Sequence, residues 1–165
     1  MRECVIRPAK VEDMPAVAAI YEHFVQESVA TFEVIAPDTA EMTRRLKAVQ
    51  ERGLPYLVAT LEKYVVGYCY ASQFRPREAY RLTVEDSIYV RADCIGYGVG
   101  KRLLTQLIAG CHEAGCHRMV ACICGDNPAS VALHRSLGFE PAGLLPEAGL
   151  KFEQWVDMAM MQRSL

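Results

Sequence analysis

"DCIGYGVGKRLLTQLIAGC", residues 93–111, sets three glycines and two cations at the start of a segment whose remainder carries an apolar stripe. Leu103, Leu104, Leu107, Ile108 and Cys111 recur at helical spacing, which gives a helix one face to dock on a sheet. Lys101 and Arg102 then stand at the end where the helix dipole is already positive. Glycines let a backbone come close to a ligand, and the first N–H groups of a helix have no internal acceptor. The combination points to an arriving anion. A P-loop is excluded, because Ile95 stands where its first glycine belongs and Arg102 where its hydroxyl belongs. The dinucleotide fingerprint fails as well, since G-x-G-x-x-G begun at Gly96 ends on Lys101 and begun at Gly98 ends on Leu103. What remains is strand, x-x-G-x-G, helix, with backbone N–H groups converging on a pyrophosphate. A plain glycine-rich loop before a helix is the bland alternative, and the segment alone does not separate the two.

The helix expected over 127–137, "NPASVALHRSLGF" with its exit, separates them. Asn127 is a good N-cap and Pro128 a good first residue. Helical spacing puts Asn127, Ser130, Val131 and His134 on one face. Asn127 and His134 lie about 10 Å apart along the axis at ~1.5 Å per residue, a span suited to an extended pantetheine arm. Elsewhere the period alternates. "VIRPAK" reads as a short strand, Glu12 to Ser28 as a helix, and 38–53 as a second helix with Asp38 or Thr39 as cap and Gly53 as stop. Residues 56–74 read as a hairpin turning at Glu62-Lys63, and 81–90 as a third strand. "RMVACIC" (118–124) is a strand, and "KFEQWVDMAMMQ" (151–162) a last one. The order strand, two helices, three strands, helix, strand, helix, strand predicts an α/β domain with a mixed sheet and helices on both faces.

Bulk numbers narrow the partners. A chain of 165 residues suits one domain, with 52% hydrophobic and 23% charged residues. A formal charge of −2 gives no reason to expect nucleic acid or an anionic membrane. No run reaches the ~18 apolar residues of a membrane span, and "MRECVIRPAK" lacks a signal core, so a cytoplasmic protein is expected. Seven scattered cysteines read as reduced thiols. Cys111-His112 and Cys116-His117 match no usual zinc spacing, and no metal site is expected.

"GYGVGKRLL" and "NPASVALHRSLGF", in this order of elements, resemble the GNAT superfamily of acyl-CoA-dependent N-acetyltransferases. "ASQFRPREAYRLTVEDSIYV", "ALHRSLGF" and "KFEQWVDMAMMQ" are similar to its phosphinothricin and methionine sulfoximine acetyltransferase branch, along the length of the chain. The resemblance implies a three-layer fold around a central mixed, mostly antiparallel sheet, acetyl-CoA as co-substrate, and a small amino acid or analogue as acceptor. It implies that backbone groups of Ile88, Tyr89 and Val90 hold the pantetheine and thioester, and that Gly96, Tyr97, Gly98, Val99, Gly100 and Lys101 bind the pyrophosphate. Asn127 would hold the pantetheine arm, and His134 would protonate the leaving thiolate. Phe32 in "ATFE", with Phe74, Arg75 and Arg77 in "FRPR", would line the acceptor pocket. The branch also implies a homodimer. Ile95 departs from the Gln or Arg that usually opens the pyrophosphate motif, but because those contacts are mainly backbone, binding is expected to survive. Arg77 is not a fixed feature of the branch.

An α-ammonium must lose a proton before it attacks, and Glu85 is the candidate base. Strand alternation puts Glu85 and Asp86 on opposite faces, so one of the two is expected to face the pocket. The resemblance favours Glu85, which also belongs to the acceptor pocket. Arg75 is the guanidinium expected to pair with an acceptor carboxylate. Two other functions stay open at this point: acetylation of a protein or peptide, and a non-catalytic acyl-CoA sensor.

Overall fold

In the computed structural model, which describes residues 4–165, the strands are β1 (Cys4–Pro8), β2 (Tyr56–Leu61), β3 (Tyr64–Gln73), β4 (Thr83–Val90), β5 (Arg118–Cys124), β6 (Glu140–Lys151) and β7 (Gln154–Ser164). The helices are α1 (Met14–Glu27), α2 (Thr39–Glu51), α3 (Val99–Glu113) and α4 (Pro128–Ser136). The strands form one sheet in the order β1-β2-β3-β4-β5-β7-β6. Among the described residues only the β4–β5 pair is parallel, joined through α3, and every other pair is antiparallel.

Alternation along the strands sorts the core into two layers. Tyr56, Val58 and Tyr68 point to the face covered by α1 and α2, where Val17, Ile20, Val25, Met42 and Leu46 are buried. Leu57, Ala59, Cys69 and Ala71 point to the other face, under Leu103, Leu104 and Leu107 of α3. Each fully buried leucine of that stripe contributes roughly 1.5–3 kcal/mol, enough to fix where α3 begins. Local signals set the helix ends. Asp38 Oδ1 accepts from Glu41 N–H at 2.8 Å and starts α2, and Gly53 ends it at φ +69°. Before α1 the chain makes a 3-10 turn at Val11–Asp13, held by Arg7, which binds both carboxylate oxygens of Asp13 at 2.7 and 2.8 Å.

The C-terminal reading needs correction. Residues 140–164 form two strands where one was expected, and the turn between them takes Phe152 and Glu153 at φ +52° and +59°. β6 escapes a period-two reading because Pro141, Gly143, Pro146 and Gly149 interrupt it, and its register shifts twice against β7. It is an edge strand, where prolines and bulges are tolerated and discourage further pairing. The hairpin leaves Leu144, Leu145, Leu150, Phe152 and Trp155 exposed. Among the described residues, no helix is long and apolar enough to cross a membrane, and no group of three His, Cys, Asp or Glu side chains is placed to hold a metal. All seven cysteines are free thiols.

Candidate active site

β4 and β5 run together only from Thr83 opposite Arg118 to Asp86 opposite Ala121. Beyond that point Ser87–Val90 pair only with β3, and Cys122–Cys124 only with β7. Each strand therefore leaves one row of backbone N–H and C=O groups unpaired along a wedge. The wedge opens into a cleft of about 820 Å³, within the range of small-molecule sites. An extended chain carrying amide groups can pair with such an edge as an added strand does.

The far end of the cleft is the start of α3. Gly96 and Gly98 take φ +86° and +76°, a conformation that side chains rarely adopt. Gly98 caps the helix without a side-chain bond, which leaves the first N–H groups for a ligand. Ile95, Gly96, Gly98, Val99, Gly100 and Lys101 line this end. Val99 is buried in the core, so it serves the cleft through its backbone. Tyr97 is 79% exposed and is not on the cleft wall, nor is Arg102. Lys101 is thus the cation that the structure brings to the anion end.

At the apex the two carboxylates part company. Glu85 faces the α1–α2 side, where Arg75 Nη1 lies 3.7 Å from its Oε2. Burial pushes the Glu85 carboxyl up; Arg75 opposes this, Asp86 adds to it, and a hydrogen bond from Cys122 opposes it, leaving a net rise. The Arg75 guanidinium rests 4.1 Å over the Phe74 ring, which in turn packs edge-on against Tyr80. Gln73 Nε2 donates to the carbonyls of Arg75 and Arg77 at 2.7 and 2.9 Å and fixes the loop. Phe74 therefore supports Arg75 from behind and does not reach the cleft wall; Arg77 is exposed and does not reach it either.

Asp86 faces the α3–α4 side, and it too lines the cleft. The expectation that one carboxylate of the pair faces the pocket is corrected: the cleft opens where two strands separate, so it reaches both faces of β4. Asp86 Oδ2 lies 3.0 Å from His134 Nε2. Both side chains are only 2% exposed. His134 Nδ1 donates to the Ser130 carbonyl at 2.7 Å, and its ring meets Phe139 edge-on. Asn127 caps α4 by accepting from Ser130 N–H at 3.0 Å, which commits its Oδ1 to the helix.

The acceptor side is closed by residues 28–37. Phe32 and Thr31 line the cleft, and Lys151 Nζ donates to the Thr31 carbonyl at 2.8 Å. Glu33 anchors the same loop through Arg45, which binds both its oxygens at 2.9 and 2.7 Å, and through Tyr21. Tyr70, Ser87, Cys122 and Cys124 also line the wall and were not among the expected site residues. Cys122 and Cys124, two apart in β5, share the face of that strand that borders the cleft. Burial and the charge of Glu85 push the Cys122 thiol up to about 12, so it stays a thiol.

The site is thus a wedge between parallel strands that ends on a glycine-rich helix start and is bordered by two carboxylates, an imidazole and a guanidinium. The sequence matches the family described as "Acetyltransferase (GNAT) domain" over residues 6–160. It is 47% identical over 164 residues to a phosphinothricin N-acetyltransferase from Alcaligenes faecalis, covering 98% of this chain and 83% of that one. It is 42% identical to an L-methionine sulfoximine/L-methionine sulfone acetyltransferase from Pseudomonas paraeruginosa, covering 97% and 94%. Among solved structures, a phosphinothricin acetyltransferase from Sinorhizobium meliloti in complex with AcCoA superposes with a TM-score of 0.96 at 45% identity, over 98% of this chain and 88% of that one. The chain belongs to the GNAT acetyltransferase family.

Proposed function

We propose that the protein is an acetyl-CoA-dependent N-acetyltransferase for the α-amino group of a small amino acid or a close analogue, of the phosphinothricin or methionine sulfoximine kind. One observation carries the reading: Arg75 and Glu85 stand 3.7 Å apart at the acceptor end of the cleft, a guanidinium for a carboxylate beside a carboxylate for an ammonium. The relatives named above act on such molecules, which supports the same class of acceptor here.

Acetyl-CoA supplies the thioester. Backbone N–H groups of Gly98, Val99, Gly100 and Lys101, with the Lys101 side chain, hold its pyrophosphate, and the open edge of Ile88, Tyr89 and Val90 holds the pantetheine and the polarised carbonyl. Asn127 borders the same arm. Glu85 removes the ammonium proton, directly or through one water. His134 returns a proton to the departing sulfur. Most of the acceleration comes from holding amine against thioester, with proton transfer second.

Seven free thiols fit a reducing cytoplasm. The exposed apolar residues of the β6–β7 hairpin favour a homodimer. The test of function is product detection by mass spectrometry, giving the protein acetyl-CoA with methionine sulfoximine, phosphinothricin, methionine or a lysine-bearing peptide. Acetylation confined to the amino acids, and lost in Glu85→Gln, is the expected result. Product from the peptide alone transfers the activity to protein acetylation, and bound acetyl-CoA with no product on any amine points to an acyl-CoA sensor.

A further inference from the structure

His134 has both ring nitrogens occupied inside the protein. Nδ1 faces the Ser130 carbonyl at 2.7 Å, an acceptor that cannot donate, and the Ser130 hydroxyl stands farther off at 3.4 Å, so the shorter contact keeps a hydrogen on Nδ1. Nε2 is then the only nitrogen that can gain or lose a proton, and it faces Asp86 Oδ2 at 3.0 Å. Asp86 Oδ1 is buried and has no hydrogen-bond partner among the described residues. A buried carboxylate satisfied through one oxygen is tolerated when a neighbour carries the opposite charge. The other titratable groups around Asp86 are Cys69 of β3, Cys111 of α3 and Glu85 on the opposite face of β4, and none is a cation. Asp86 also occupies the last paired position of β4, opposite Ala121, so the couple sits where the cleft begins.

We propose that Asp86 is a positioning residue for acetyl transfer, holding His134 as an imidazolium whose mobile proton sits on Nε2 at the apex of the cleft. The inference rests on the reading of His134 as proton donor. As the C–S bond breaks, sulfur keeps the electron pair and takes the Nε2 proton out of its hydrogen bond to Asp86, leaving a neutral imidazole with Nδ1–H and an unchanged carboxylate. The ammonium sheds two protons in becoming an amide. One goes to Glu85 and on to solvent; the other restores Nε2. The adjacent carboxylates Glu85 and Asp86 thus divide the proton traffic across the sheet, with intake on the α1–α2 face and support of the donor on the α3–α4 face. Burial alone would push the His134 ring down, but the hydrogen bond and charge of Asp86 reverse this and leave it raised.

The test is the pH dependence of kcat for the wild type, Asp86→Asn, His134→Ala and the double variant, with thermal melting to confirm folding. Removing the Asp86 charge leaves burial opposed only by the Ser130 carbonyl, so the alkaline limb of kcat moves to lower pH. The loss is on the order of 10-fold at about pH 8.5 and smaller at about pH 6, with both KM values nearly unchanged. In the His134→Ala background the further effect of Asp86→Asn is below about 2-fold. An unshifted limb, or an undiminished loss in that background, overturns the role of Asp86 while leaving His134 as donor. A wild-type kcat profile in His134→Ala overturns the donor reading itself. A variant-free check uses ring 15N resonances: both nitrogens of His134 protonated at about pH 7 is the expected result, and a neutral Nδ1–H ring overturns the proposal.

Discussion

Glu85 and Arg75 share one electrostatic account, because the guanidinium 3.7 Å away opposes the rise that burial imposes on the carboxyl. In the proposed function Glu85 is the base and works deprotonated, so activity is expected to climb as pH rises through its titration. Arg75→Gln removes the opposing cation and raises that titration further. The acid limb of kcat/KM therefore moves to higher pH, and the acceptor KM rises about 10-fold or more as the carboxylate loses its partner. Steady-state profiles over about pH 5 to 9 check both, and an unmoved limb contradicts the coupling. Much of this residue-level picture was legible in "TVEDSIYV" and "FRPR", where charge stands out in a strand and in a proline loop. Phe74, Arg77 and Tyr97, expected from the resemblance, do not line the cleft wall, because a motif carries a residue to a loop without saying which way the loop turns its side chain. Asp86 was hidden more deeply. Alternation assigned it correctly to the opposite face of β4, yet its partner lies 48 positions on in sequence, at His134.

At the scale of elements, the acceptor loop at 28–37 depends on the strand that the sequence concealed. Gly149 of β6 lies against the Phe32 ring, and a Cβ there would meet the ring at 2.7 Å. Gly149→Ala therefore displaces Phe32 from the cleft wall. The expected result is an acceptor KM raised on the order of 10-fold, with the acetyl-CoA KM held within about 2-fold, since the α3 end is untouched. Steady-state kinetics with each substrate varied in turn distinguish the two, and equal changes in both contradict the assignment. The elements with clean periods were legible: the stripe of α3, the hairpin turning at Glu62-Lys63, and the Asp38 and Asn127 caps. β6 was not, because an edge strand with two prolines, exposed along almost its whole length, needs no hydrophobic alternation.

The whole molecule places a long hairpin at one edge of its sheet, with Leu150 paired to Trp155 and both more than half exposed. For a homodimer using this surface, Trp155→Glu sets a charge in the contact and shifts the protein to monomer in sedimentation velocity. A wild type that already sediments as a monomer contradicts the dimer. A mixed sheet with helices on both faces followed from element order, but the cleft did not, because it is an absence of pairing between β4 and β5 that the register reveals. The proposed function has this cleft present an amino acid's own carboxylate and amine to Arg75 and Glu85. Its most direct test compares kcat/KM for methionine sulfoximine with that for its carboxamide, which keeps the amine and loses the charge. The free acid is expected to be favoured by about 100-fold or more. Equal rates on the two, or a preference for the carboxamide, would contradict it.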